Sequence, residues 1–287
     1  MARVYTCRFR VRHYELDSFG HVNNAVYANY LEQAAIEASA DAGYDTAWYR
    51  LHHSGWIIRR LWIKYLQQAY ADDDLEIRTW VADFRQVRSH REYDVRRLGD
   101  NSSIVRARAD WVYIDAQTLR PTRIPEEMGK AFDPTNHTPP LQVLSPSQRP
   151  VEKTPRYTLT RTVQRYELDT WGHVNHANYL RWIEQAVFTG AARLGYPVER
   201  MYDEGWLIFN LGHEIEYFHP AYDGDEVEIV AWISHVGRVR GAWTVEVRRK
   251  KTGELLARDV TPGAFITLNG RPRSIPEGFL AAVDVDC

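Results

Sequence analysis

The chain has 287 residues, 44% of them hydrophobic and 26% charged, with 36 Lys+Arg against 38 Asp+Glu. That length predicts about two domains, and this much apolar material excludes disorder for the bulk of the chain. The near-balance of charge argues against a nucleic-acid partner, and two cysteines near the chain ends, Cys7 and Cys287, exclude a disulfide framework or a Cys-based zinc site.

The chain opens without the apolar run of a signal peptide, and no stretch approaches the roughly 18 apolar residues of a membrane span. These features predict a soluble cytoplasmic protein with no membrane partner. The first predicted element is a strand over 7–12. A helix follows, marked by Tyr27, Tyr30, Leu31, Ala34, Ala35 and Ala38 at 3–4 spacing, with Gly43 placed to end it. After the helix only strands are predicted, over 57–65, 75–84, 91–98 and 104–114. From 134 to 155 six prolines interrupt any periodicity, which predicts an extended linker.

Beyond the linker the order repeats. A strand is expected over 158–163, then a helix with Tyr179, Ile183, Ala186, Val187 and Ala191, closed by Gly195. Strands over 207–218, 227–236, 243–248 and 255–268 complete it. Residues 14–34 and 166–186 are identical at 13 of 21 positions at an offset of 152. That period is the size of a small domain. Domains are therefore placed at 1–133 and 156–287, each an α+β unit in which an antiparallel sheet wraps one long, mostly apolar helix. A lone sheet of this kind leaves an open edge, and pairing the two copies edge to edge would cover it.

The most repeated segment is a loop, Asp17-x-x-Gly20-His21-Val22-Asn23 and Asp169-x-x-Gly172-His173-Val174-Asn175. It lies between the first strand and the helix, whose first N–H groups lack intrahelical partners and favour a developing anion. Gly20 and Gly172 allow close backbone approach. A carboxylate beside such amides suits acyl transfer: the amides of residues 22–24 and 174–176 hold the carbonyl oxygen, and Asp17 or Asp169 attacks or activates water. Each residue also has a structural reading. Asp17 suits a turn, Asn23 an N-cap, and His21 a hydrogen-bonded structural role. Glu32 and Glu184 sit on an apolar helix and are expected to have partners. The histidine pairs His52-His53 and His213/His219 lack metal-ligand spacing, and neither a metal nor a cofactor is implied.

The pattern Asp-x-x-Gly-His-Val-Asn-x-x-x-Tyr-x-x-x-x-Glu-x-Ala, with the later Arg-Pro-x-x-Ile-Pro, resembles the hotdog-fold acyl thioesterases. It is similar to the 4-hydroxybenzoyl-CoA thioesterase, acyl-CoA thioester hydrolase and acyl-ACP thioesterase branch. The resemblance implies a tandem double hotdog that hydrolyses an acyl-CoA, with acyl-ACP as the other carrier. It places the catalytic carboxylate at Asp17 and Asp169, supporting polar groups at His21, His173, Asn23 and Asn175, and substrate contacts at Gly20, Gly172, Tyr27, Tyr179, Glu32 and Glu184. It also implies sites between the two hotdogs of an intramolecular pseudo-dimer, which further homo-oligomerisation would extend. The chain departs from the plant-type acyl-ACP branch, whose Asn two residues after the Asp is Phe19 and Trp171 here. Pocket depth is expected to depend on Trp56, Trp206, Tyr30 and Trp182. A basic loop with Arg85, Arg88 and Arg91, matched by Arg238 and Arg240, is a candidate for CoA phosphates. A hotdog dehydratase or hydratase and a non-catalytic binding module are the alternatives on the same fold.

Overall fold

A computed structural model describes residues 3–134, 141, 149–151 and 153–283. The chain divides into two compact units, Met1–Leu141 and Gln142–Cys287.

In the first unit β1 (Tyr5–Arg10) leads through a single 3-10 turn (His13–Glu15) to α1 (Asn24–Asp41). Four strands follow: β2 (Ser54–Tyr65), β3 (Asp74–Arg85), β4 (Arg88–Arg97) and β5 (Ser103–Asp115). All pairings are antiparallel, in the order β1-β3-β4-β5-β2. The sheet holds α1 as the sequence predicts. Ala25, Val26, Tyr27 and Ala28 are consecutive and all buried, so the first turn of the helix has no solvent face. Its later turns bury only Tyr30, Leu31, Ala34, Ala38 and Ser39. Ala42 caps the helix and Gly43 follows at φ 93°, a left-handed conformation glycine adopts without strain.

The second unit repeats this with β7 (Tyr157–Thr162), a 3-10 turn (Arg165–Glu167) and α4 (His176–Arg193). Its sheet runs β7-β10-β11-β12-β9, with β9 (Gly212–Tyr217), β10 (Glu226–Val236), β11 (Arg240–Arg249) and β12 (Leu255–Thr267). Both units are hotdogs, one long helix wrapped by an antiparallel sheet. The registers match at offset 152: Val81 faces Arg91 in one unit, and Ile233 faces Trp243 in the other. The bulges match too, between Val81 and Asp83 and between Ile233 and His235. A bulge raises the local twist, which helps a sheet curl around a helix.

Three expectations need correction. The stretch 207–218 is two strands, β8 (Trp206–Asn210) and β9, both paired to β12. Short helices interrupt the strands: α2 (Thr46–Leu51) and α3 (Glu126–Phe132) in the first unit, α5 (Val198–Asp203) and α6 (Glu277–Val283) in the second. Their start signals were in the sequence. Asp45 caps α2 by accepting from the Trp48 amide at 2.7 Å, and Pro125 precedes α3, so the Ile-Pro-Glu element is a helix start. Within the Pro-rich stretch, Arg149–Pro150 forms a two-residue strand (β6) against His235 and Val236 of β10, while 135–140, 142–148 and 152 lie outside the described residues.

Candidate functional site

Each repeated loop is a closed turn at the head of its helix. Leu16 bridges Val22, the Asp17 amide donates to the His21 carbonyl at 2.7 Å, and Gly20 N–H donates to the Asp17 carbonyl at 3.1 Å. Gly20 makes this possible at φ +81°, and Gly172 sits at +78°. A Cβ at either glycine would meet nothing within 4 Å. Conformation, not closeness to the chain's own atoms, is what requires glycine there.

The Asp17 carboxylate is partly built into the turn. Its Oδ1 accepts from the amides of Phe19 at 2.8 Å and His21 at 3.1 Å. Those bonds leave Oδ2 outside the turn network, and the residue is partly exposed. The His21 ring turns away from Asp17: Nδ1 lies 3.3 Å from Gln68 Nε2, and the ring meets Tyr70 edge-on. In the second unit Asp169 Oδ1 likewise accepts from the Trp171 amide at 2.8 Å. Here, however, His173 Nδ1 lies 3.1 Å from Asp169 Oδ2. Burial lowers the His173 pKa, but the hydrogen bond to Asp169 and its negative charge outweigh that and raise it overall. The two loops share a backbone and differ in how the imidazole is engaged.

The helix N-terminus is more occupied than the sequence suggests. Val22 N–H donates to the Ala69 carbonyl and Asn23 N–H to the Glu15 carbonyl, both at 2.9 Å, and Asn23 Oδ1 caps the helix through the Ala25 amide at 3.0 Å. Val174, Asn175 and Ala177 repeat this with Ala221, Glu167 and Asn175 Oδ1. The expected oxyanion donors at 22–23 and 174–175 are therefore already used, because the loop must be pinned to the sheet on one side and the 3-10 turn on the other. In the first unit this leaves Asn24, the first helical residue, as the amide of the set outside the capping network.

What pins the loop was missed in the sequence. Glu15 is buried and accepts from Arg12 N at 2.7 Å, Arg12 Nη1 at 3.0 Å and Tyr30 Oη at 2.5 Å. Glu167 accepts from Gln164 N at 2.8 Å, Arg161 Nη2 at 2.7 Å and Trp182 Nε1 at 2.9 Å. The identical Tyr-Glu-Leu-Asp in both copies carries the signal, because the Glu recurs beside the Asp. Tyr30 and Trp182, expected to line a pocket, are tied to these glutamates.

Tyr27 and Tyr179 are core residues, each 3% exposed, and the Tyr179 hydroxyl accepts from the Ala221 amide at 3.2 Å. Glu32 and Glu184 are half-buried and engaged. Trp206 is enclosed by Tyr196, Phe265 and Phe279, and Trp56 donates from Nε1 to the Tyr49 hydroxyl at 3.0 Å. Arg88 is exposed, 3.6 Å from Asp110, and Arg240 is exposed at the start of β11. Arg91 is not in a loop at all; it is 7% exposed inside β4. A buried group in the second unit was also missed: His213 Nδ1 lies 2.9 Å from Asp259 Oδ2 and 3.1 Å from Thr261 Oγ1, where the first unit has Leu61, Ala107 and Ala109. Cys7 is unsuited to nucleophilic chemistry, since burial and nearby Glu37 push its thiol up to about 12. Among the described residues no cluster of three or more His, Cys, Asp or Glu could hold a metal, and no helix is long and apolar enough to cross a membrane.

Comparison with known proteins adds to this geometry. The family model described as the thioesterase-like superfamily matches residues 11–132 and again 163–283. A chloroplastic palmitoyl-acyl carrier protein thioesterase of Arabidopsis thaliana is 25% identical over 197 residues, covering 65% of this chain and 48% of the relative. A chloroplastic acyl-acyl carrier protein thioesterase of the same plant is 32% identical over 123 residues, covering 43% of this chain and 65% of the relative. This chain thus spans 48% and 65% of the length of these two relatives. Among solved structures, an acyl-ACP thioesterase from Bacteroides thetaiotaomicron aligns with a TM-score of 0.69 at 23% identity, covering 91% of this chain and 97% of the other. A 12:0-ACP thioesterase from Umbellularia californica gives 0.72 at 18% identity, covering 94% of each. At such identities the structures establish a shared fold.

Proposed function

The chain belongs to the thioesterase-like superfamily, and from that premise we propose that it hydrolyses an acyl thioester to a free acid and a thiol. The observation that carries the reading is the duplicated loop, in which a partly exposed carboxylate is held at the head of a helix. Asp17 Oδ1 is fixed by two backbone amides, so its Oδ2 is oriented without being consumed. In the proposed reaction that oxygen takes a proton from water as the water attacks the thioester carbonyl, or itself attacks to give a mixed anhydride that water opens. The oxyanion forms at the helix N-terminus, near the Asn24 amide, where dipole and N–H both favour negative charge. Collapse expels the thiolate, which takes up the proton. Asp169 acts the same way in the second loop, with His173 hydrogen-bonded to it. Asn23 and Asn175 act as N-caps that set the approach of the helix.

For the carrier, acyl-ACP is the reading the relatives favour over the acyl-CoA expected from the motif. The curated relatives above are named for acyl carrier protein, and the double-hotdog chains align over nearly their whole length. The Phe19 and Trp171 departures do not exclude this, because in both units that position contributes its backbone amide to the Asp. The test is thiol release from acyl-ACP and acyl-CoA of matched chain length, followed with a colorimetric thiol reagent. Faster release from ACP is expected. Equal or faster release from CoA overturns the carrier assignment, and binding without release from either overturns hydrolysis in favour of a binding module.

A further inference from the structure

Arg91 lies on the face of β4 that meets the helices of the first unit. Its guanidinium sits 5.3 Å over the Phe132 ring of α3, and Nη1 donates to Thr79 Oγ1 at 3.3 Å. That hydroxyl is itself committed to the Glu92 carbonyl at 2.9 Å. No carboxylate is bonded to Arg91 among the described residues; its side-chain hydrogen bond is the one to Thr79. Burial lowers its pKa, and among its neighbours Tyr93 and Tyr49, not a carboxylate, act in the opposite direction. A buried cation without a counter-ion is costly, and proteins seldom retain one without a use.

A second group points the same way. Tyr93 Oη, two residues along β4 on the same face, is buried with no acceptor for its O–H, and Trp111 Nε1 on neighbouring β5 faces that oxygen as a donor. Two adjacent buried side chains, Arg91 and Tyr93, thus present donors on this face with no carboxylate to accept from them. Around them stand Tyr49, whose hydroxyl bonds Ser39 Oγ at 2.8 Å, and the apolar cluster of Val81, Tyr113, Met128 and Phe132. The second unit is the internal control. At the matching register position it has Trp243, whose ring lies so close to α4 that a Cβ on Gly190 would approach it to 2.8 Å. There an indole stands at the register position that Arg91 takes in the first unit.

We propose that the interior of the first unit is a carboxylate-recognition site, in which Arg91, with Tyr93, binds the carboxylate of an acyl group, so that the preferred substrates are thioesters of dicarboxylic acids. A carboxylate supplies two oxygens and a charge to match the guanidinium fork, which a methyl-terminated chain cannot. The substrate half of this proposal rests on the hydrolase reading above; the binding half does not.

The experiment has two arms. Wild-type protein and Arg91→Met are assayed on ω-carboxyacyl thioesters of increasing length and on the plain acyl thioesters they match, with both carriers. The free dicarboxylic acids are also titrated calorimetrically against the neutral diols. Wild type is expected to prefer the ω-carboxy substrate at its best length by on the order of 10²-fold in kcat/KM, since a site built for a polar group rejects the analogue lacking it. Arg91→Met abolishes the preference and the diacid binding without lowering Tm, because removing an unpaired buried charge relieves the fold; a structural arginine would lower Tm instead. Diacid binding lost in Arg91→Met, with no turnover of any thioester, retains this site and overturns the hydrolase reading. Turnover of plain acyl thioesters with no diacid binding and no ω-carboxy preference in wild type does the reverse, and that arm needs no variant to fold. Equal binding of diols and diacids also overturns the proposal.

Discussion

His173 and Asp169 sit four residues apart, across a turn closed by their own backbones, so their side chains meet without help from any distant element. This makes the pair a local probe of the second loop. A histidine whose folded pKa is raised binds its proton more tightly in the native state than in the unfolded chain. Its contribution to stability is therefore full below the unfolded value of about 6.5 and is lost as pH rises through the raised folded value. The expected result is a Tm difference between wild type and His173→Gln that is largest in mild acid and shrinks towards alkaline pH. A difference that grows with pH would mean that His173 is held neutral and that the Asp169 contact is not an ion pair. The same residue scale explains what the sequence concealed. The Asp and His of the loop stand out because polar residues recur there, but which nitrogen faces which oxygen depends on Gln68 and Tyr70 in the first unit, residues 47 and more positions away in sequence.

At the scale of elements, the long helices and the main strands are legible because each is written in a period: 3–4 spacing for α1 and α4, alternation or β-branched runs for the strands. The same repeat carries the register, since identical offsets hold for pairs and bulges alike. The short helices are not periodic and show only through their caps. Buried Glu15 and Glu167 look like surface residues until a 3-10 turn folds each under its helix, where Tyr30 or Trp182 donates to it. Helix-to-sheet distance is likewise invisible in one copy alone. In the second unit α4 approaches β11 closely because Gly190 lacks a Cβ, and Trp243 occupies that space with two ring atoms 2.8 and 2.9 Å from where one would stand. Gly190→Ala gains about 1 kcal/mol of helix propensity but forces a buried indole to move, which typically costs about 1–3 kcal/mol. A fall in Tm of a few degrees is expected, and Gly190→Ala combined with Trp243→Leu should recover it. If Gly190→Ala alone raises Tm, the indole is not what sets the helix position.

At the scale of the whole molecule the chain has kept two copies of one loop while letting the surroundings diverge. The interior position at β4 and β11 is Arg91 in one copy and Trp243 in the other, and the Leu61, Ala107 and Ala109 of the first unit become His213, Asp259 and Thr261 in the second. The interior has diverged while the Asp, Gly, His, Val and Asn of the loop recur in both copies. Whether both loops work is tested at the carboxylates, because Asn is a close isostere that keeps an Oδ1 to accept the backbone amides of the turn and removes only the charge. Asp17→Asn should therefore fold with nearly unchanged Tm, and Asp169→Asn likewise at alkaline pH, where His173 is neutral and the pair it forms with Asp169 contributes least. Loss of a catalytic base or nucleophile costs about 10²–10⁴ in rate at its own site. If the loops work independently, each single variant retains roughly half of the thioester turnover at unchanged KM, and the double variant falls by that full factor. One single substitution that removes nearly all turnover assigns catalysis to that loop and leaves the other as a structural copy. A double variant with wild-type kcat removes the carboxylates from the mechanism and returns Asp17 and Asp169 to the turns they close.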